Sequence, residues 1–158
     1  ERTVKREYWA LLRGEAPERT LVDRPIGRDP RHPMRFAVDV PGSMRSARTH
    51  IARVALGNAR KRVISWVACR LETGRTHQIR VHAAESGHPL VGDDKYGDFD
   101  FNREVSKGLL GIPFRRMFLH SYSLAFEHPV THEKMKIESP LPEACEEPIR
   151  VLNERKTV

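Results

Sequence analysis

Residues 71–82 read LETGRTHQIRVH. Three apolar residues, Leu71, Ile79 and Val81, are interleaved there with two arginines, two histidines and two threonines around one glycine. That is more hydrogen-bonding capacity than packing alone calls for. The periodicity also changes inside the stretch. VISWVACRL at 63–71 is the longest run of β-branched and aromatic residues in the chain and reads as a strand. After Gly74, Thr76 can act as a cap, Ile79, Ala83 and Ser86 recur at helical spacing, and Gly87 with Pro89 supplies a stop. The spacing predicts a short helix over about 77–86.

That helix begins with the wrong charge. Arg75, His77 and Arg80 surround its first turn, yet a helix amino end behaves as roughly half a positive charge and favours Asp or Glu. Two arrangements resolve the conflict. In one, the arginines and free backbone N–H groups converge on an anion, a phosphate or a carboxylate. In the other, Arg80 pairs with Glu72 or Glu85 and Arg75 stays in solvent.

Upstream, KREYWALLRG at 5–14, RFAVDV at 35–40 and RTHIARVAL at 48–56 read as further strands, giving four before the motif. Pro25, Pro30, Pro33 and Pro41, with Gly27 and Gly42, divide residues 23–43 into loops and a short edge piece. Downstream, MFLHSYSLAFEHP at 117–129 and KMKIESP at 134–140 read as a hairpin, and PEACEEPIRVLNERK as a weak helix broken by Pro148. Strands outnumber helices and their connections are short. The expected fold class is therefore α+β, with a mixed, largely antiparallel sheet and a few short helices. The 158 residues form one domain's length of chain, able to bury roughly 70% of its unfolded surface.

Residues 1–62 hold 15 Lys+Arg against 7 Asp+Glu, whereas residues 63–158 hold 13 against 14. Thirteen of those 15 cations are arginine, whose planar fork binds phosphate bidentately and stacks on bases, so a nucleic-acid partner is expected. No apolar run approaches the roughly 20 residues of a membrane span. Cys69 and Cys145 form no CxxC pair, which argues against zinc and a disulfide framework and for a reducing, cytoplasmic setting. No metal site is expected: His77 and His82 are five apart and share no helical face, and HEKMK at 132–136 lacks the second histidine of a zinc helix.

LETGRTHQIRVHAAESGHPLVGDDKYG, residues 71–97, closely resembles the third motif of the RluA-type pseudouridine synthases, which isomerise uridine in ribosomal and other RNA. KREYWALLRG resembles that family's second motif, and RRMFLHSYSLAFEHPVTHEKMKIESPLP at 115–142 its closing strands. The likeness runs from about residue 3 to 142 and is thinnest between 28 and 60. GDDKYGDFDFNRE, with the strands after it, is most similar to the large-subunit synthases designated C.

The resemblance implies a role for Tyr8 in packing against the target base and taking the C5 proton. It implies that Arg80 forms a salt bridge to the catalytic aspartate and that Ile79 lines the uracil pocket. Tyr8 and Ile79 also fit plain core packing. Arg75 and His77 become candidates for phosphates beside the flipped nucleotide, and Arg45 and Arg48 for phosphates farther along the RNA. No cofactor is implied, the expected partner is large-subunit ribosomal RNA, and a monomer is expected. One departure stands out: no HRLDxxTSG-like string, the setting of the family nucleophile, occurs in the sequence, and Asp23, Asp93 and Asp94 lack its surroundings. The chain is therefore expected to be the carboxy-terminal part of a catalytic domain whose aspartate motif precedes Glu1, and to be inactive by itself. The alternative is a non-catalytic RNA-binding module that retains the synthase scaffold.

Overall fold

A computed structural model describes residues 5–42, 44–142 and 145. The strands are β1 (Lys5–Arg13), β2 (Arg19–Asp23), β3 (Ile26–Arg28), β4 (Phe36–Val38), β5 (Arg48–Ala59), β6 (Arg62–Leu71), β7 (Leu119–Glu127) and β8 (Lys134–Glu138); the helices are α1 (Gln78–Glu85) and α2 (Phe99–Ser106). Six strands form one sheet in the order β2-β5-β6-β1-β7-β8, and β3 pairs with β4 in a second, small sheet. Every pairing among the described strands is antiparallel. The α+β architecture is as expected, and β7 with β8 forms the anticipated hairpin.

Six strands, not four, precede the motif. β2 and β3 are short and were not distinguished from loop, and the proline-rich segment holds the β3–β4 sheet instead of a single edge piece. Residues 99–106, read as no element, form α2, capped by the Asp98 carboxylate accepting from Phe101 N–H at 3.0 Å. α1 starts one residue later than predicted, and Thr76 does not cap it. His77 occupies the cap position at φ 57° with no side-chain cap bond. The predicted carboxy-terminal helix lies outside the described residues except for Pro142 and Cys145.

Successive strand residues face opposite sides of a sheet, so β1 feeds two cores. Ala10 and Leu12 pack with Ile51, Val67, Cys69 and Leu90 against Ile79 and Ala83 of α1. Leu11 packs the other way, with Ile64, Phe118, and Phe101 and Val105 of α2. Each fully buried aliphatic or aromatic side chain here contributes about 1.5–3 kcal/mol. A third cluster joins Val81 of α1 to Ile26, Ala47, Phe36 and Tyr96. α1 is thus wedged between the large sheet and the small one, which fixes where its first turn points.

Candidate active site

The turn before α1 is organised by Gln78, which is 2% exposed. Its Oε1 accepts from the Thr73 hydroxyl at 2.7 Å and from Arg75 N–H at 3.0 Å, while its Nε2 donates to Arg48 O and Thr49 Oγ1, each at 2.9 Å. Thr49 Oγ1 in turn bonds His82 Nδ1 at 2.8 Å, and His82 Nε2 bonds Arg24 O at 2.8 Å. With Gln78 donating to Thr49, the hydroxyl proton is directed to Nδ1 and the imidazole is neutral, donating from Nε2. Burial pushes the His82 pKa down, in keeping with that form. A buried polar network is costly unless every member is satisfied. Here the satisfied chain from β5 through α1 sets the shape of the RTHQ turn.

Arg80 then meets its anion. Nε donates to Asp93 Oδ2 at 2.9 Å and Nη2 to Asp93 Oδ1 at 2.8 Å. Glu72 and Glu85, the partners considered from sequence, are bonded elsewhere: Glu85 to Arg24 at 2.7 Å, Glu72 to Arg48 at 3.2 Å and to His50. The anion at the helix end is one this polypeptide supplies itself. The Arg80 side chain is 14% exposed and that of Asp93 is 0% exposed. Asp93 Oδ1 also accepts from Lys95 N–H at 2.9 Å and Tyr96 N–H at 3.1 Å. Burial would raise the Asp93 pKa, but the Arg80 bond and those two N–H groups outweigh it and hold the carboxyl below its usual range. The guanidinium lies over the Tyr96 ring, 5.2 Å from its centroid, and Nη1 is outside the Asp93 pair.

The loop carrying Asp93 is itself clamped. Gly92 N–H donates to Asn102 Oδ1 at 2.8 Å and Asn102 Nδ2 donates to Asp93 O at 2.9 Å. Gly92 has φ 82°, and a Cβ there would stand 2.0 Å from the Arg116 carbonyl oxygen. Asp93, Tyr96 and Asn102 were not singled out as site residues from sequence. GDDKYG, the motif that holds Asp93 and Tyr96, is the signal in the sequence that points to them.

Ile79 is 5% exposed and belongs to the same apolar cluster that half-buried Tyr8 packs against. Tyr8 sits opposite Cys69 of β6 and Ser121 of β7, next to a bulge at Glu7/Tyr8; bulges re-aim strand side chains. The structure therefore brings Tyr8 and Ile79 into one cluster, with Arg80 the next residue along α1. His77 turns inward: Nδ1 is 2.9 Å from Tyr96 Oη, and its ring meets Phe36 and Tyr96 edge to face. Burial, then the nearby Arg80 and Lys95 charges, lower its pKa. Arg75 and Arg45 line one cavity of about 280 Å³ with Phe36, Gly27 and Gly74, and Arg75 Nε is tethered to Ser46 O at 2.7 Å. Arg48 lies outside that group, ion-paired to Asp23 at 2.9 Å and to Glu72 at 3.2 Å.

The fold is shared with a solved human structure, RNA Pseudouridylate Synthase Domain Containing 1, at a TM-score of 0.72 and 28% identity over 88% of this chain and 55% of that one. A family model described as RNA pseudouridylate synthase matches residues 1–85. The chain belongs to the RNA pseudouridylate synthases, of the RluA type. Ribosomal large subunit pseudouridine synthase D of Nitrosomonas europaea is 41% identical over 90% of this chain and 39% of its own length. Ribosomal large subunit pseudouridine synthase C of Pasteurella multocida is 34% identical over 99% of this chain and 46% of its own. Both branches align along the chain, so the likeness does not single out the C subgroup. The chain spans less than half the length of these two relatives.

Proposed function

We propose that this chain is part of an RNA pseudouridine synthase that isomerises uridines in large-subunit ribosomal RNA. The reaction breaks C1′–N1, turns the uracil over, joins C1′ to C5, and moves the C5 proton off while N1 gains one. The target base must leave its stack to be reached. Tyr8 packs against the flipped base and takes the C5 proton, Ile79 floors the pocket, and Arg80 holds a catalytic aspartate contributed by a segment preceding residue 1. An arginine within about 4–6 Å lowers a carboxyl pKa by one to three units, keeping that aspartate ionised. Arg45 and Arg75, which share a cavity with Phe36, take phosphates beside the target. Arg48 and His77 have partners within the chain and contribute less than the sequence suggested. No cofactor takes part, and the protein works as a cytoplasmic monomer.

The observation that carries this reading is the Arg80 guanidinium. It is held on its Nε–Nη2 edge, next to Ile79 and beside the cluster that receives Tyr8. In the complete protein, Arg80→Ala is expected to lower pseudouridine formation in a large-subunit rRNA transcript by at least about 10²-fold, with RNA affinity little changed. A normal rate in that variant sinks the assignment. The alternative, an RNA-binding module without activity, predicts no HRLD-like aspartate in the roughly 30 residues encoded ahead of Glu1 and no pseudouridine from the complete protein.

A further inference from the structure

We infer that Asp93 is a positioning residue for Arg80, and that the loop of residues 92–97, clamped by Asn102, sets the direction in which the guanidinium is presented. The inference rests on the functional reading above and adds to it a residue on which Arg80 depends.

An arginine on a helix's first turn has a long, free side chain carrying about 2 kcal/mol of rotamer entropy and an unfavourable helix-end field. A bidentate carboxylate removes both problems by fixing the planar fork. Which edge is fixed matters. Asp93 takes Nε and Nη2, the lateral edge, so Nη1 stays outside the pair. An end-on pair through Nη1 and Nη2 would leave only the Nε edge for a second acceptor.

The carboxylate itself has little freedom. It is 0% exposed, its Oδ1 receives two backbone N–H groups, and its carbonyl receives the Asn102 amide. Gly97 shows how tightly the loop is drawn around it: a Cβ there would stand 2.3 Å from Asp93 O and 2.9 Å from Asn102 Nδ2. Asp94, the other carboxylate near Nη2, is 91% exposed at 3.5 Å and fixes nothing. A salt bridge serving stability alone would not require the carboxylate to be immobilised at both backbone and side chain.

The test uses the complete protein, an in vitro transcript of large-subunit rRNA, and single-turnover conditions with enzyme in excess. Asp93→Asn is expected to lower the rate constant by about 10²-fold, the order seen when a reacting geometry shifts by 1 Å, while RNA affinity is unchanged. In an Arg80→Ala background the same substitution is expected to change the rate by less than about twofold, because a residue acting only through Arg80 has nothing left to position. Asn102→Ser leaves the ion pair intact and loosens its support. It is expected to lose about tenfold, again only when Arg80 is present, and it serves if Asp93→Asn does not fold. Equal losses with and without Arg80, or a wild-type rate in both single variants, overturn the positioning role. No pseudouridine from the wild-type complete protein overturns the functional reading, and the inference with it.

Discussion

Two regions of the molecule handle positive charge in opposite ways. In the unit of α1 and the loop after it, one arginine is 14% exposed and meets a carboxylate that is 0% exposed. In the arginine-bearing region from Arg24 to Arg48, partners on both sides are open to water: Arg24 is 41% exposed and its partner Asp39 52%, and Arg48 is 37% exposed and its partner Asp23 52%. A desolvated pair with all its hydrogen bonds made fixes geometry, whereas exposed pairs are screened and contribute little. On the proposed function, the first region serves aim and the second attraction to RNA. Three perturbations separate them.

The largest effect is expected at Arg80. Arg80→Met leaves Asp93 buried without its counter-ion, which costs about 3–5 kcal/mol in urea unfolding at pH 7. Arg24→Met, at an equally short but exposed pair, is expected to lose a small fraction of that. The pH dependence has a definite sign. In the native protein the folded Asp93 pKa is depressed, so its stabilisation is present above the unfolded value of about 3.9 and is lost as pH falls through the lower folded value. In Arg80→Met the depressing charge is gone, burial is opposed only by the Lys95 and Tyr96 N–H groups, and the pKa rises from its native value. The deficit of the variant should therefore shrink between pH 7 and pH 4. Equal losses for the two arginine variants, or a deficit that does not depend on pH, would erase the distinction between the regions.

The need for an anion at Arg80 was legible from a cation on a helix's first turn, but the partner was not. The sequence points to carboxylates within helical reach, Glu72 and Glu85, whereas the fold delivers Asp93, thirteen residues on and across the Gly87–Pro89 stop. β1, β5, β6 and β7 followed from apolar alternation, because each runs nine residues or more; β8, five exposed residues, followed instead from the Pro- and His-bearing turn that joins it to β7. β2 and β3, at five and three residues, are too short to show a period. α2 is eight residues whose buried side chains are only Phe101 and Val105, an i,i+4 pair that Asp100 and Asn102 obscured. The β5–β6 connection carries Arg60 and Lys61 at φ 50° and 68°, where the usual hairpin signal would be Asn-Gly. His77 at φ 57° likewise gives no warning in sequence of its left-handed backbone. Tertiary packing around α1 enforces both the helix start and the inward turn of His77.

A smaller effect is expected from a matched pair of glycines. Gly92 and Gly42 have nearly the same backbone, φ 82° and 79°, but a Cβ at Gly92 would meet the Arg116 carbonyl at 2.0 Å, while one at Gly42 meets nothing within 4 Å. Substitution by alanine costs both about 1–2 kcal/mol for the left-handed conformation. Overpacking adds about 1–3 kcal/mol at Gly92 alone. The difference between the two unfolding free energies isolates how rigidly the Asp93 loop is held. If Gly92→Ala is no worse than Gly42→Ala, that loop yields more easily than its clamping suggests.

The smallest effect on stability is expected in the second region, and there the change should appear in RNA binding. Arg45 and Arg75 are separated by 30 residues in sequence but line one cavity with Phe36. Neither has a carboxylate partner among the described ion pairs, so Arg45→Gln with Arg75→Gln should leave unfolding within about 0.5 kcal/mol of the parent, as for ordinary surface changes. Arg75 gives up its tether to Ser46 O, an exposed bond whose loss water can replace. Binding to single-stranded RNA responds differently, because each phosphate contact releases a counterion and contributes about 0.7 to the slope of log affinity against log salt. The double variant should flatten that slope by about 1.4 and weaken binding most at low salt. Arg24→Gln, already balanced by Asp39 and Glu85, should leave the slope unchanged. A slope that falls as much per arginine in Arg24→Gln as in the double variant would mean that the region attracts RNA only by its net charge, and that the cavity between Arg45 and Arg75 selects nothing.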